Sequence, residues 1–334
     1  MSPISLHRRD ALVGMAAAAL TPTTAGLSTF GLGATFAPVP ARAKTRRYDL
    51  RPVEVAAGVW MIEGAREVFA PANGGAIVNI VLLETRQGAV VIDTGSTLGM
   101  GAEIRAFADD RLGGVATVVN THHHPDHWFG NGAFADRQIV ALPQTAAACA
   151  QYGQDFAASL YAILGPWMSG TSPLPASGTT EAGEARIGGR ALRLLALSGH
   201  TQADLAILDQ DSGTLIAGDL LFLDRAPSLP DADYGIWLKA LDRLAQLQPS
   251  GTVPGHGGFH RSSAALAQTR AYLEATRARL TQAADLGLAP IEAMSAGPAP
   301  AFAALGANPE EYLRSVIHRW ADHETEALPL VGGL

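Results

Sequence analysis

The run His122-x-His124-x-Asp126-His127 packs four potential metal ligands into six residues, and it constrains the chain more than any other feature. In extended backbone, His122 and His124 point one way and His123 the other, so His123 is expected to face away from the ligand pair. Pro125 bends the chain and suits the first position of a helix, which swings Asp126 and His127 toward the same space. Imidazole and carboxylate are what Zn²⁺ or Fe²⁺ accepts where no thiolate is offered. The single cysteine, Cys149 in Thr-Ala-Ala-Ala-Cys-Ala-Gln, excludes an intramolecular disulfide and a Cys-based zinc site, and reads as a buried thiol.

Three further polar residues sit at Gly-flanked turn positions: His200 in Ser-Gly-His-Thr, Asp219 in Ala-Gly-Asp-Leu and His256 in Pro-Gly-His-Gly. The adjacent glycines permit sharp turns that bring the next side chain close to an ion. Strands are expected at 53–55, 58–62, 77–83, 89–92 and 115–119, then at 185–187, 192–197, 203–208 and 214–217, with hairpin turns at 188–189 and 210–213. Helices are expected at about 98–110, 145–164, 234–247, 262–286 and 309–323. Two successive strand-and-helix halves imply an α+β fold in which helices cover a pair of packed sheets. The composition, 48% hydrophobic and 16% charged with a net charge of −7, supplies a large core. No Lys/Arg-rich block appears, which argues against nucleic acid as a partner.

The first 43 residues read as an export signal removed from the mature protein. His7-Arg8-Arg9-Asp10 precedes the apolar run Ala-Leu-Val-Gly-Met-Ala-Ala-Ala-Ala-Leu, and Ala41-Arg42-Ala43 supplies a small-x-small cleavage site. The Arg pair resembles a twin-arginine signal, which carries folded proteins across the bacterial inner membrane. The apolar run is too short to span about 30 Å of hydrocarbon, so no stable membrane insertion is expected after cleavage. Residues 44–334 then form a periplasmic domain.

Taken in order, the metal-ligating residues resemble the metallo-β-lactamase superfamily, over a stretch from Val53 to about Arg261. The resemblance implies an αββα four-layer sandwich and a two-metal site holding zinc, with iron or manganese as alternatives. It assigns His122, His124 and His200 to one metal, Asp126, His127 and His256 to the other, and Asp219 to both. Asp93, in Ile-Asp-Thr-Gly, orients the loop rather than binding metal. An Asp at 219 and Phe222 three residues on are unlike class B β-lactamases; the seven-residue set looks more like the glyoxalase II type, though no glutathione-binding module with Lys pairs is recognisable. The segments 69–79, 120–131 and 165–168 are similar to the quinoprotein relay system zinc metallohydrolases, exported proteins associated with pyrroloquinoline-quinone (PQQ) dehydrogenases and c-type cytochromes.

The reading that follows is a hydrolase of a small-molecule ester, thioester, lactone or amide. A water shared by two metals is acidified toward neutrality, and Asp126 orients it as the catalytic carboxylate. Asn73, Trp128, Trp167 and His260 are candidate pocket residues; His318 and His323 are taken as structural. The competing readings are a class B β-lactamase-like amidohydrolase, a mono-iron persulfide dioxygenase, and a non-catalytic partner protein that binds metal for stability. N-terminal sequencing of periplasmic protein should begin at or near Lys44. Full-length chain found only in the cytosol would refute the export reading.

Overall fold

Buried side chains alternate along the strands and sort themselves into three apolar layers. The computed structural model describes residues 46–327, which belong to one compact unit, Thr45–Leu334; the expected export signal lies outside the described residues. The first sheet holds seven strands in sequence order: β1 (Pro52–Ala56), β2 (Val59–Ile62), β3 (Ile80–Leu83), β4 (Ala89–Ile92), β5 (Val115–Val119), β6 (Ile139–Ala141) and β7 (Gly178–Thr179). Pairing is antiparallel as far as β4 and parallel from β4 to β7. The second sheet runs β12-β11-β10-β9-β8, from β8 (Gly183–Ile187), β9 (Arg190–Leu197), β10 (Asp204–Asp209), β11 (Thr214–Ile216) and β12 (Gly251–Val253). Its β11–β12 pair is parallel and the others antiparallel.

Strand periodicity decides the layering. Ile80, Leu82, Ala89 and Val91 pack with Met100 and Ile104 of α1 (Leu98–Arg111), which Thr97 caps by accepting from the Met100 amide. Their neighbours Val81, Leu83, Val90 and Ile92 point the opposite way, onto Leu192, Leu194, Leu205 and Ile207 of the second sheet. Leu195, Leu197, Ala206 and Leu215 form that sheet's outer face, beneath Trp237 and Leu241 of α4 (Tyr234–Ala245) and Tyr272 and Leu273 of α5 (Ala264–Asp285). The order helix, sheet, sheet, helix is the αββα sandwich that the sequence implied.

Four further helices complete the chain: α2 (Pro125–Trp128), α3 (Pro143–Leu164), α6 (Pro290–Ala296) and α7 (Glu310–Ala327). Most expected elements fall within two or three residues of their observed bounds. The strand expected from Ile77 begins only at Ile80, because Ile77 and Asn79 direct their backbone groups to the loop after β12 instead of to a strand. The strands β6, β7 and β12, each two or three residues long, are too short to show an alternation and were not expected; nor was α6. No helix among the described residues is long and apolar enough to cross a membrane.

Asn79 ties that loop to the first sheet. Its side chain donates to Pro254 O at 2.8 Å and Gly257 O at 2.6 Å, and accepts from the Gly64 amide at 3.0 Å. Asn79→Ala would strand two buried carbonyls and an amide, and should cost about 2–4 kcal/mol in a urea melt, from roughly 1 kcal/mol per bond plus desolvation. A loss under 0.5 kcal/mol would show that the loop does not depend on this tie.

Candidate metal centre

Parallel strand pairs β4–β5 and β11–β12 send their C-terminal ends to one edge of the sandwich, and the turn joining β9 to β10 reaches the same place. Asp93 follows β4, and the His-rich loop follows β5. His200 lies in the β9–β10 turn, Asp219 after β11 and His256 after β12. Pro125 opens α2 as expected, carrying Asp126 and His127 in its single turn. Gly199, at φ +142°, packs so tightly on Trp237 that no side chain fits there. A Cβ at Gly255 would overlap Asp219 Oδ1, so glycine is needed for the carboxylate to sit where it does.

Hydrogen-bond partners fix which ring nitrogen each histidine presents, because a carboxylate or carbonyl oxygen only accepts. His127 Nδ1 donates to Asp93 Oδ2 at 2.7 Å and His256 Nδ1 to Ile77 O at 2.7 Å, which leaves Nε2 of each facing inward. His124 donates from Nε2 to Asp231 Oδ2 at 2.8 Å and presents Nδ1. That Nδ1 stands 3.1 Å from His122 Nε2 and 2.8 Å from His200 Nε2. Asp93, itself at φ 62°, also accepts from the Thr121 amide and hydroxyl at 2.8 Å each, and so holds the loop rather than entering the centre.

Two clusters of the expected ligands result, beside a third group formed by His123, His124 and Asp231. Donor atoms of His122, His124, His200 and Asp219 lie within 4.8 Å of one another, and so do those of Asp126, His127 and His256. Asp219 spans both: Oδ2 is 3.3 Å from His200 Nε2 and 3.3 Å from His256 Nε2, and Oδ1 is 3.2 Å from His127 Nε2. His127 Nε2 and Asp219 Oδ1 are buried without a hydrogen-bond partner. Buried polar atoms are rarely left so. Inward-facing imidazoles crowded around a carboxylate suit divalent cations, and the residues fit that group.

Charge separates the clusters. Burial, reinforced by neighbouring imidazoles, pushes His122 and His200 well below the ordinary histidine range, so both are neutral. Burial also opposes charge on His127, but the carboxylates of Asp219, Asp93 and Asp126 together outweigh it and raise its pKa well above the ordinary value. Burial likewise works against the Asp219 carboxylate, and His256 and His127 overcome it, keeping Asp219 ionised. The bond from His124 holds Asp231 down at about 2. Without a cation, His127 therefore carries a proton that metal uptake must displace.

All seven expected ligands meet here, whereas the four expected pocket residues do not line the cavity above the centre, which measures about 1110 Å³. Asn73 shapes a turn, accepting from the Ala70 and Gly75 amides. Trp128 is fully buried among Phe129, Cys149 and Leu160 and donates to His123 O. Trp167 covers Tyr48 and Gly74 and donates to Pro71 O. His260 pairs with Thr252 and Ser262 at the surface. His123 corrects a further expectation. It lines the cavity 3.9 Å from Asp231, because β5 ends at Val119 and strand alternation no longer governs the loop. Burial lowers its pKa to about 4. His318, taken as structural, also lines the cavity. Asp231 was missed: its chain segment carries no motif, and only the fold brings it to His124.

The family model of the metallo-beta-lactamase superfamily matches residues 73–256. Among characterised relatives, the hydroxyacylglutathione hydrolase of Thiobacillus denitrificans is 29% identical over 165 residues, 49% of this chain and 54% of that protein. The linear primary-alkylsulfatase of a Pseudomonas species is 22% identical over 220 residues, 53% of this chain and 40% of that protein. The chain thus spans about half the length of these relatives, or less. The structure of a metallo-beta-lactamase from Pontibacter korlensis superimposes with a TM-score of 0.55 at 24% identity, covering 67% of this chain and 99% of that one. One from Hirschia baltica gives 0.53 at 22% identity, covering 67% and 97%.

Asp93→Asn keeps the shape and tolerates the positive φ but removes the charge that orients His127. Zinc titration of metal-depleted protein should show the second equivalent weakened about 10- to 100-fold and the first little changed. In the unaltered protein the second equivalent should also weaken more steeply as pH falls, because His127 holds its proton more firmly. Equal loss at both sites would contradict the separation of the clusters.

Proposed function

The chain belongs to the metallo-beta-lactamase superfamily, and from that premise we propose that it is a periplasmic dinuclear zinc hydrolase acting on an ester, thioester, lactone or amide. The observation that carries the reading is the position of Asp219, within 3.3 Å of histidine nitrogens from both clusters. His122, His124 and His200 would hold one cation, Asp126, His127 and His256 the other, and Asp219 both. Bound there, the cations would supply a water of near-neutral pKa and polarise the substrate's carbonyl or ester oxygen.

The protein's own groups do the rest. Asp126 Oδ2, 3.4 Å from His256 Nε2 and buried at the cavity floor, would orient the attacking water as well as hold the cation. Asp93, Asp231 and Ile77 O each accept from one ring nitrogen of His127, His124 and His256 and so turn the other nitrogen toward the centre. His123, neutral and facing the cavity, is placed to contact substrate. Export is supported by Arg8, Arg9 and the Ala41-Arg42-Ala43 site. The similarity of segments 69–79, 120–131 and 165–168 to quinoprotein relay hydrolases supports a link to a PQQ-dependent dehydrogenase or c-type cytochrome system.

Elemental analysis of zinc-loaded protein should approach two equivalents per chain. A panel of ester, thioester, lactone and β-lactam substrates should contain at least one that turns over. Asp219→Ala should fall to about one equivalent and lose turnover by a factor of a hundred or more, about 2.7 kcal/mol or more in barrier. A variant that keeps both metals and normal turnover would remove Asp219 from its bridging role. A firm single iron with oxygen consumption on persulfides would make the protein an oxidoreductase.

A further inference from the structure

The cavity floor is the metal centre, but one long wall is α3, and its composition speaks to what the centre acts on. Tyr152, Phe156, Leu160 and Ile163 recur at helical spacing along that wall. They are a second apolar stripe. The helix's core-facing side is occupied by Cys149, Gly153, Ala157, Leu164 and most of Leu160, packed on Trp128, Phe129 and Pro173, so that Leu160 shows only an edge to the cavity. Tyr152 and Ile163 remain 42% and 41% exposed. Phe69 extends the apolar surface from the facing loop and packs against the same cluster as Leu160.

The stripe begins at the reacting centre. The His123 ring lies 6.0 Å from Tyr152 and 6.1 Å from Phe156, and His123 sits between metal-ligand candidates His122 and His124. From Phe156 to Ile163 the helix rises about 10 Å, the length of an extended chain of roughly eight carbons. The cavity's volume of about 1110 Å³ slightly exceeds the usual range for small-molecule sites, about 300–1,000 Å³.

The charges lining the cavity argue against an anionic tail. Asp155 sits on the α3 wall itself. Arg225 and Arg314, both outside α3, are the only Lys or Arg among the described lining residues, and both donate to the Glu311 carboxylate. α3 itself carries no Lys or Arg, so a carboxylate on a tail lying along that wall would find no cation there.

We propose that the substrate carries an uncharged apolar chain of about eight carbons or more, lying along Phe156, Leu160 and Ile163 with its scissile bond over the metal centre. This rests on the hydrolase reading above. It narrows the substrate class to amphiphilic esters, lactones or thioesters with an aliphatic tail.

The test uses zinc-loaded protein and p-nitrophenyl esters from acetate to dodecanoate. Burying each added methylene should raise kcat/KM about two- to fourfold until the groove is filled near eight carbons. The half-ester of a dicarboxylic acid of matched length should be at least tenfold poorer than its uncharged counterpart. Phe156→Ser and Ile163→Asp should flatten the slope of log kcat/KM against chain length, whereas Leu286→Asn on a distant exposed surface should leave it unchanged. Turnover with a flat slope would overturn the apolar-chain proposal and leave the hydrolase reading intact. A dansylated undecanoic amide, read by fluorescence, separates the two in the other direction. Chain-dependent binding abolished by Ile163→Asp, with no ester in the series hydrolysed, would support the groove and count against the hydrolase. No binding and no chain-length slope would overturn the proposal.

Discussion

Imidazole nitrogens from two separate loops, on His122, His124 and His200, face one another at 2.8–3.1 Å, next to a buried carboxylate that reaches into a second cluster. Crowding lone pairs in this way is unfavourable unless a cation or shared protons lie between them, and much of the architecture serves to maintain it. Asp93, Asp231 and Ile77 O each take the outward N–H of one ring and so turn the other nitrogen inward. Glycines at 199 and 255 let the chain pass where any side chain would displace Trp237 or Asp219. The centre is thus held from outside by hydrogen bonds and from beneath by backbone.

That arrangement requires two sheets. The His-rich loop and Asp93 belong to the first, while His200, Asp219 and His256 belong to the second, so the packing of Val81, Leu83, Val90 and Ile92 on Leu192, Leu205 and Ile207 sets the spacing between the two halves of the centre. Polar ties reinforce it: the Leu205 amide donates to Thr121 O, and Asn79 grips the loop bearing His256. An interior so closely packed transmits small displacements to the ligands, which links the fold's stability directly to the geometry of the site.

The two clusters differ in electrostatic character, and the difference follows from neighbours rather than from ligand type. His122 and His200 are buried among other imidazoles and remain neutral, whereas His127 is surrounded by Asp93, Asp126 and Asp219 and holds a proton until a cation replaces it. The cavity above them is lined both by the aromatic and aliphatic residues of α3 and by the Arg225–Glu311–Arg314 group.

The seven candidate ligands were legible in the sequence because metal chemistry restricts residue type, and because Gly-flanked turns mark where a chain can bring a side chain close to an ion. The layered fold was legible because apolar, β-branched runs such as 80–83 and 89–92 recur with helices in two successive halves, and the resemblance of the ligand residues to a known family implied the αββα order. Strands of two or three residues, such as β12, carry no such label, and strand alternation misplaced His123 once β5 had ended. The pocket was decided by tertiary structure alone. Asn73, Trp128, Trp167 and His260 are the conspicuous residues near the motifs, yet they form turns, core and surface, while Asp231, Tyr152, Phe156 and Ile163 reach the cavity through the docking of α3 and the 231 loop. Local sequence specifies which side chains can bind a metal; which others stand over it depends on contacts between residues distant in the chain.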